Sequence, residues 1–561
     1  MDIPNLRWWG WGTLDQGYSL EGRTAFWPTL IKWLELPDRT PEHETSPVPL
    51  DEIALRPSRL DDPVYCSLRK LLGNGTVHTD RQTRVEHAYG KSYRDLVRIR
   101  AGYVPNPPDA VIYPADQGQV AALLAWAADR DVVIIPFGGG SSVLGGVEPQ
   151  PGERAVLTLD LARLDRVLAL DPVSRTARIQ AGATGPEIEA QLNARGFTLG
   201  HFPQSFEFST LGGWIATRAT GQNAIGYGSI GHLTQAVRAV TPMGIIETKD
   251  VPATAAGPSL LQVLVGSEGA YGVIVEATMR IHPLPAVRDY RGLLFHSLDD
   301  GLAACRDLMQ TPGISPAIVR LSDARETAAY AALSHERQGL RRLADLLKRQ
   351  LLRVQKYDLF EGSVLMILGF EGSARWTERQ WELALDICGA HRGFSLGQAV
   401  GRTWMRERFA PPYLRDVLLG AGVLVDTLET ATTWSNLPKV YASLVNAIKT
   451  IIPTTGGGPG YVMTHVSHAN AHGASLCTTF MGRQVPDPDP LVKQAQWEEI
   501  KRAATEAVLA AGGTLSCQHG VGREHAPWLE EEIGPVGIQA LRALKQTFDP
   551  NSIMNPGVLL P

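Results

Sequence analysis

Three of the chain's 14 histidines crowd into the segment Thr464-His465-Val466-Ser467-His468-Ala469-Asn470-Ala471-His472-Gly473. If this segment is a strand running into a turn, alternation puts His465 and Ser467 on one face, and His468 and His472 converge from the loop. Imidazole changes charge near neutral pH, so such a cluster suits acid–base work or the binding of an anion or a metal. Another histidine, His519, follows Cys517 and Gln518 and opens the run His519-Gly520-Val521-Gly522. Histidines beside a glutamine could hold a substrate carboxylate or phosphate, or move a proton. His519 is the first candidate for the base, with His465 or His468 second.

A second kind of chemistry is written in glycine. Pro136-Phe137-Gly138-Gly139-Gly140-Ser141-Ser142 directly follows the apolar run VVII. Glycines there let backbone N–H groups surround an anion such as a pyrophosphate, with the serine hydroxyls as further donors. The run matches neither GxGxxG nor GxxxxGK[ST], which counts against a Rossmann dinucleotide site or a P-loop. Two more loops follow. One is Pro203-Gln204-Ser205-Phe206-Glu207-Phe208-Ser209-Thr210-Leu211-Gly212-Gly213-Trp214 with Ala216-Thr217-Arg218-Ala219-Thr220-Gly221. The other is Gly266-Ser267-Glu268-Gly269-Ala270-Tyr271-Gly272-Val273-Ile274.

The elements that must position these residues are legible in outline. A chain of 561 residues exceeds one hydrophobic core, so two or three domains are expected. Residues 1–100, rich in Trp, Pro and Arg, read as an irregular extension wrapping another domain. Within 101–284, AVIYP, the helix QVAALLAWAADRD and VVIIPFGGGSS form a βαβ unit. Residues 285–500 alternate strands and helices as in an antiparallel sheet covered by helices, and 501–561 return to ligand-like glycines and histidines. The class is α+β.

Composition narrows the partners. Hydrophobic residues make up 44% and charged residues 20%, the balance of a globular protein. The formal net charge is −5 with no block of lysines or arginines, which speaks against nucleic acid and for a small molecule. Cys66, Cys305, Cys388, Cys477 and Cys517 form no CxxC pair, so neither a disulfide framework nor a thiolate zinc site is indicated. With no basic stretch leading into an apolar core at MDIPNLRWWGWG, a cytoplasmic location is expected. The stretch LRRLADLLKRQLLRVQK (340–356) sets leucines opposite basic residues. It suits peripheral contact with a membrane surface as well as packing on its own domain.

In order and spacing the three loops resemble the FAD domain of PCMH-type (vanillyl-alcohol-oxidase-like) flavoproteins. The resemblance implies a two-subdomain FAD-binding domain over 101–284, closed by 501–561 and topped by a substrate-shaping cap over 285–500. It implies that residues 136–142 cradle the pyrophosphate. Gln204 to Thr210, Gly213 and Thr217 to Thr220 would run beside the ribityl chain and isoalloxazine, and residues 266–272, with Ile274, would lie near the adenosine half. In relatives with covalent flavin, a histidine in or near the first loop, or a cysteine further on, bonds the ring. No histidine lies between Pro136 and His201, so non-covalent FAD is expected.

Further stretches resemble the alkylglycerone-phosphate synthase family: RWWGWG (7–12), SFEFSTLGGWIATRATG (205–221), ETATTWSNLPKVY (429–441), HGVGREHAPWL (519–529) and DPNSIMNPG (549–557). Membership implies an exchange through flavin N5 on a lipid-like substrate, and a homodimer. By matching position, Arg218 and Arg415 are candidates for anion binding, a role that suits the permanently charged guanidinium fork. Two departures stand out. Cys517-Gln518-His519 replaces a run of three histidines, and Cys477 falls where the family carries a catalytic tyrosine. The spacing of His465 and His472 also resembles the metal-binding histidines of D-2-hydroxyacid dehydrogenases. Gln518 stands in place of their glutamate, so no metal is expected. An FAD-dependent oxidase or dehydrogenase of a hydroxy acid or alcohol is the alternative reading, and a flavin-binding scaffold without turnover is a third.

Overall fold

The apolar run before the first glycine loop is a buried parallel strand. In the computed structural model, which describes residues 6–36, 45–334, 356–360 and 362–560, four strands form a first sheet. They are β1 (Val77–His78), β2 (Ala110–Ile112), β3 (Val133–Phe137) and β4 (Val156–Asp160), in the order β1-β2-β4-β3. Strand β4 is parallel to both β2 and β3, so the expected βαβ unit is present with a third strand inserted at its centre. Its crossover helix, Gln117–Asp129, starts where the Asp116 carboxylate accepts from the Gln119 N–H at 2.9 Å. It buries Val120, Leu123, Leu124 and Trp126, each worth roughly 1.5–3 kcal/mol or more on transfer from water.

A second, antiparallel sheet completes the flavin-type unit. Its strands are β5 (Val167–Asp171), β6 (Thr176–Gln180), β8 (Thr234–Thr241), β9 (Gly244–Glu247) and β10 (Val273–Arg280), in the order β5-β6-β10-β8-β9. The short strands β7 (Phe197–Thr198) and β11 (His282–Pro283) pair separately. The two larger sheets share one core cluster, in which Leu211 and Trp214 of the second loop pack beside Ile134 and Val240.

The cap is one seven-stranded antiparallel sheet. It comprises β12 (Val287–Phe295), β13 (Ile318–Ser322), β14 (Val364–Gly372), β15 (Phe394–Gly397), β16 (Val423–Thr433), β17 (Tyr461–Ala469) and β18 (Gly473–Arg483). The order β15-β12-β14-β13-β17-β18-β16 places the histidine strand β17 near the middle.

The chain ends couple the two units. The C-terminal segment joins the first sheet through Ile134 N–H to Ile553 O at 2.8 Å and Asn555 N–H to Ile134 O at 2.9 Å. The first hundred residues serve both units. The helix Asp62–Leu72 buries Leu68 and Leu72 in the flavin-side core, whereas Phe26–Leu34 buries Phe26, Leu30 and Leu34 against Val425, Phe480 and Met481 of the cap. The basic leucine stretch at 340–356 falls outside the described residues except for Lys356. Among the described residues no helix is long and apolar enough to cross a membrane.

Candidate active site

A cavity of about 440 Å³ lies between the flavin-side loops and the cap sheet. All seven residues of the first loop, Pro136 to Ser142, line it. From the second loop Gln204, Ser205, Ser209, Thr210, Gly213, Thr217, Ala219 and Thr220 reach it, and from the third Glu268, Gly269, Gly272 and Ile274. Phe206, Glu207, Phe208, Ala270 and Tyr271 do not line it and pack against other residues. Phe206 stacks on Phe409 at 5.1 Å, Glu207 accepts from the Tyr413 hydroxyl at 3.1 Å, and Phe208 meets the edge of Trp11 at 5.5 Å. Tyr271 packs beside Phe548, and Ala270 lies in the same small apolar cluster.

The first two loops touch so closely that a Cβ on Gly139 would overlap the Phe208 carbonyl oxygen, and one on Gly138 the Thr210 hydroxyl. Glycine is therefore required for their approach. Gly139, Gly140 and Ser141 line the cavity, and their N–H groups meet no acceptor among the described residues. That is what a diphosphate needs, and FAD fits the cradle on this ground.

The cap contributes the chemistry. On β17, His465 and Ser467 share the cavity face as alternation requires, and a bulge between Val466 and His468 turns His468 to the same side. His472 does not join them. It is exposed in the β17–β18 hairpin turn, where its N–H is held by the Asn470 side chain at 2.8 Å. Its expected convergence with the other histidines is corrected accordingly: a two-strand hairpin carries its turn residues away from the sheet face. Among the described residues no group of three or more His, Cys, Asp or Glu is placed to hold a metal.

His465 belongs to a buried network whose other members carry no sequence signal. Its Nε2 accepts from Arg320 at 2.8 Å and its Nδ1–H donates to Glu326 at 2.9 Å. Arg320 also donates to Glu326 at 2.9 Å and to Tyr330 at 3.0 Å, and all three partners line the cavity. Burial and the Arg320 charge push the His465 imidazole down, so it is neutral. Against the pull of burial, His465 and Arg320 hold the Glu326 carboxyl at about 2. His468 is likewise pushed down by burial, its Nε2–H donating to Gly221 O at 2.9 Å.

His519 also lines the cavity. Its Nδ1 lies 2.9 Å from Oε1 of the buried Glu429 on β16. The Cys517 thiol donates to the other Glu429 oxygen at 3.4 Å. Burial works against ionisation of Glu429, but its contacts with His519 and Cys517 hold it below the usual carboxylate range. Gln518 presents a buried Oε1 with no partner among the described residues. Cys477, paired in register with both Glu429 and His465, sits on the cavity wall, and burial raises its thiol well above the ordinary value.

The two expected anion-binding arginines part company. Arg218 is exposed and off the cavity. Held at φ 54° by its turn, it donates to the carbonyls of Val265 at 2.8 Å and Gln262 at 2.9 Å, so it clasps the end of the short helix Leu260–Leu264 that leads to the third loop. A guanidinium bound to carbonyls on the outer surface is not available to a ligand in the cavity. Arg415, on the helix Pro411–Gly420, sits deep and faces the cavity beside Lys91. It makes no hydrogen bond or contact ion pair with any described residue. Burial, and then the Arg415 charge acting against Asp416, bring the Lys91 ammonium down to about 8. The RWWGWG motif supports this corner: Trp11 N–H donates to Asp416 at 2.6 Å, and Lys91 donates to the Arg7 carbonyl at 3.3 Å.

Comparison with known proteins agrees with this construction. Residues 108–249 match the model of the FAD binding domain, and 284–559 that of the FAD linked oxidases, C-terminal domain. The alkyldihydroxyacetonephosphate synthase of Dictyostelium discoideum is 34% identical over 521 residues, 92% of this chain and 84% of that one. The chain belongs to the FAD-linked oxidase family. The synthase of Trypanosoma brucei brucei is also 34% identical, over 90% of this chain and 82% of its own. A solved alkyldihydroxyacetonephosphate synthase superposes with a TM-score of 0.83 at 30% identity, covering 98% of this chain and 97% of that one. The fold is thus a PCMH-type FAD domain with an antiparallel cap, and the chain is an FAD-linked enzyme related to these synthases.

Proposed function

We propose that this enzyme binds FAD non-covalently and, like the alkyldihydroxyacetonephosphate synthases it resembles, acts at flavin N5 on an anionic, lipid-like substrate. The observation that carries this reading is Arg415. It is a partly buried cation with no hydrogen-bond partner among the described residues, and a second cation, Lys91, stands next to it. A substrate phosphate or carboxylate would neutralise both. Beyond them the cavity turns apolar at Phe26, Trp33, Leu333, Leu414 and Leu418, a surface suited to an alkyl chain.

The chain's own residues divide the remaining work. The free N–H groups of the first loop bind the cofactor diphosphate. Glu429 engages Nδ1 of His519, which leaves Nε2 to take a proton from the substrate carbon. Arg320, held by Glu326 and Tyr330, presents a fixed positive charge beside neutral His465 for a departing anion. Bound flavin would supply the electron-accepting atom at which that carbon reacts.

The second reading, a dehydrogenase or oxidase of a hydroxy acid or alcohol, draws support from Cys477 and Cys517. Burial keeps both as thiols, so neither replaces an acidic phenol or an imidazole in proton transfer. Anaerobic incubation with acyl-ketone phosphates, hydroxy acids and alcohols separates the two. An exchange leaves the flavin oxidised overall, a dehydrogenase bleaches it, and an oxidase then releases hydrogen peroxide in air. A flavin band that no compound perturbs refutes both.

A further inference from the structure

Glu268, from the third loop, binds the second-loop helix, the loop that carries His519 and the C-terminal segment. Its carboxylate is buried and lines the cavity, one oxygen accepting from the Val521 N–H and the other from the Gly522 N–H, each at 2.7 Å. Those donors belong to the loop that begins with Gln518 and His519. The backbone of Glu268 is tied just as firmly. Its N–H donates to Ala216 O, at the end of the second-loop helix, at 2.9 Å, and its carbonyl accepts from Asn555 Nδ2 at 2.9 Å. Asn555 in turn donates to Gly146 O, just past the first loop, at 2.9 Å.

The surrounding backbone is shaped to this contact. Glu268 itself sits at φ 48°, a conformation unfavourable for a residue with a side chain. Gly520 has φ 86°, and a Cβ there would come within 2.8 Å of the Glu268 carboxylate. Gly522 has φ 58°, and a Cβ there would overlap Leu144 O. Strain and close approach on both partners, held where a cofactor cradle meets a base-bearing loop, exceed what joining two surface loops requires. Burial raises the carboxyl to about 7 despite its two N–H donors, so the linkage is kept against a desolvation penalty.

We propose that Glu268 is a positioning residue that couples the flavin cradle to His519, so that cofactor loading orders the Gln518–Gly522 loop and sets the base. The proposal rests on the reading above, in which flavin fills the cradle and His519 moves the proton.

The test is amide hydrogen exchange followed as FAD is added to flavin-free protein, with flavin absorbance reporting loading. In the unaltered protein, loading is expected to slow exchange at Val521 and Gly522 by about tenfold or more. In Glu268→Gln, which turns one acceptor into a donor facing an N–H, flavin still binds, the protection is lost, and kcat falls with KM little changed. Flavin that binds the unaltered protein without protecting these amides overturns the coupling and leaves the cofactor reading standing. Failure of flavin to bind at all overturns both. A Glu268→Gln protein that keeps protection and kcat overturns the proposal, and if that variant does not fold, the unaltered protein decides alone.

Discussion

His519 Nδ1 and Glu429 Oε1 lie 2.9 Å apart, joining the loop after the cap to strand β16 at the cavity wall. The carboxylate fixes which nitrogen is engaged and stabilises the imidazolium that forms when Nε2 takes a proton. Replacing His519 by Ala is expected to lower turnover by roughly 10²- to 10⁴-fold while flavin stays bound, and Glu429→Gln by roughly 10²-fold. Steady-state kinetics with the 450 nm flavin band as loading control checks both. Unchanged turnover in His519→Ala removes it as the base.

The same contact has a pH consequence. The Glu429 carboxyl is held below its unfolded value, so its stabilisation is present at neutral pH. It is lost as pH falls below about 4.3, where the unfolded chain takes up the proton first. Thermal unfolding between pH 5 and about 3 is expected to show a steeper loss of Tm in the unaltered protein than in Glu429→Gln. Parallel curves would show that the pair does not stabilise the fold.

Arg415 should oppose stability and serve binding. Burial works against the Arg415 charge more than the nearby Asp416 and Asp426 support it, so Arg415→Leu is expected to raise the ligand-free Tm. The same change should raise KM for an anionic substrate by roughly tenfold or more, the loss of one charge-assisted contact. Inorganic phosphate gives a simpler readout: it should raise the Tm of the unaltered protein and leave Arg415→Leu unmoved. A variant that is less stable and equally responsive to phosphate would refute the assignment.

The flavin loops were legible in the sequence because a close backbone approach restricts residue type. Gly139 can be nothing larger beneath Phe208, and that restriction leaves a glycine run. The crossover helix Gln117–Asp129 was legible for a similarly local reason, an apolar run whose buried Val120, Leu123, Leu124 and Ala127 fall at helical spacing. Arg320, Glu326 and Glu429 were not singled out, because each lies in an ordinary strand or helix. Only sheet register brings Arg320 beside His465, 145 positions away. Arg218 misled for the opposite reason: it adjoins the flavin loop in sequence, but its backbone turns the side chain outward onto carbonyls. Lys91 left no mark at all, since burial, not spacing, sets its chemistry.

Gly139→Ala tests the cradle. The added Cβ must displace the Phe208 backbone, a clash that no flexible side chain can absorb. Overpacking of this kind typically costs about 1–3 kcal/mol, and here it also parts the first two loops. The expected outcome is protein with native-like circular dichroism but a flavin-to-protein ratio well below that of the unaltered enzyme. Full flavin content would mean that the two loops do not form the binding surface together.

Lys91 gives the site a basic limit. Its ammonium, brought down to about 8 by burial, is charged at neutral pH and becomes neutral as pH rises through that value. One of the two cations facing the substrate anion is then lost, so KM should rise above pH 8. Lys91→Met should raise KM at neutral pH and flatten the dependence. The stability of ligand-free protein should change in the other sense. Between about pH 8 and the unfolded lysine value of about 10.4, the unfolded chain binds the extra proton, so stability gains with pH. Measuring KM and Tm over pH 7–10 therefore tests a single group twice, with opposite signs. A KM that is flat across pH 8 in the unaltered enzyme would exclude Lys91 from the anion site.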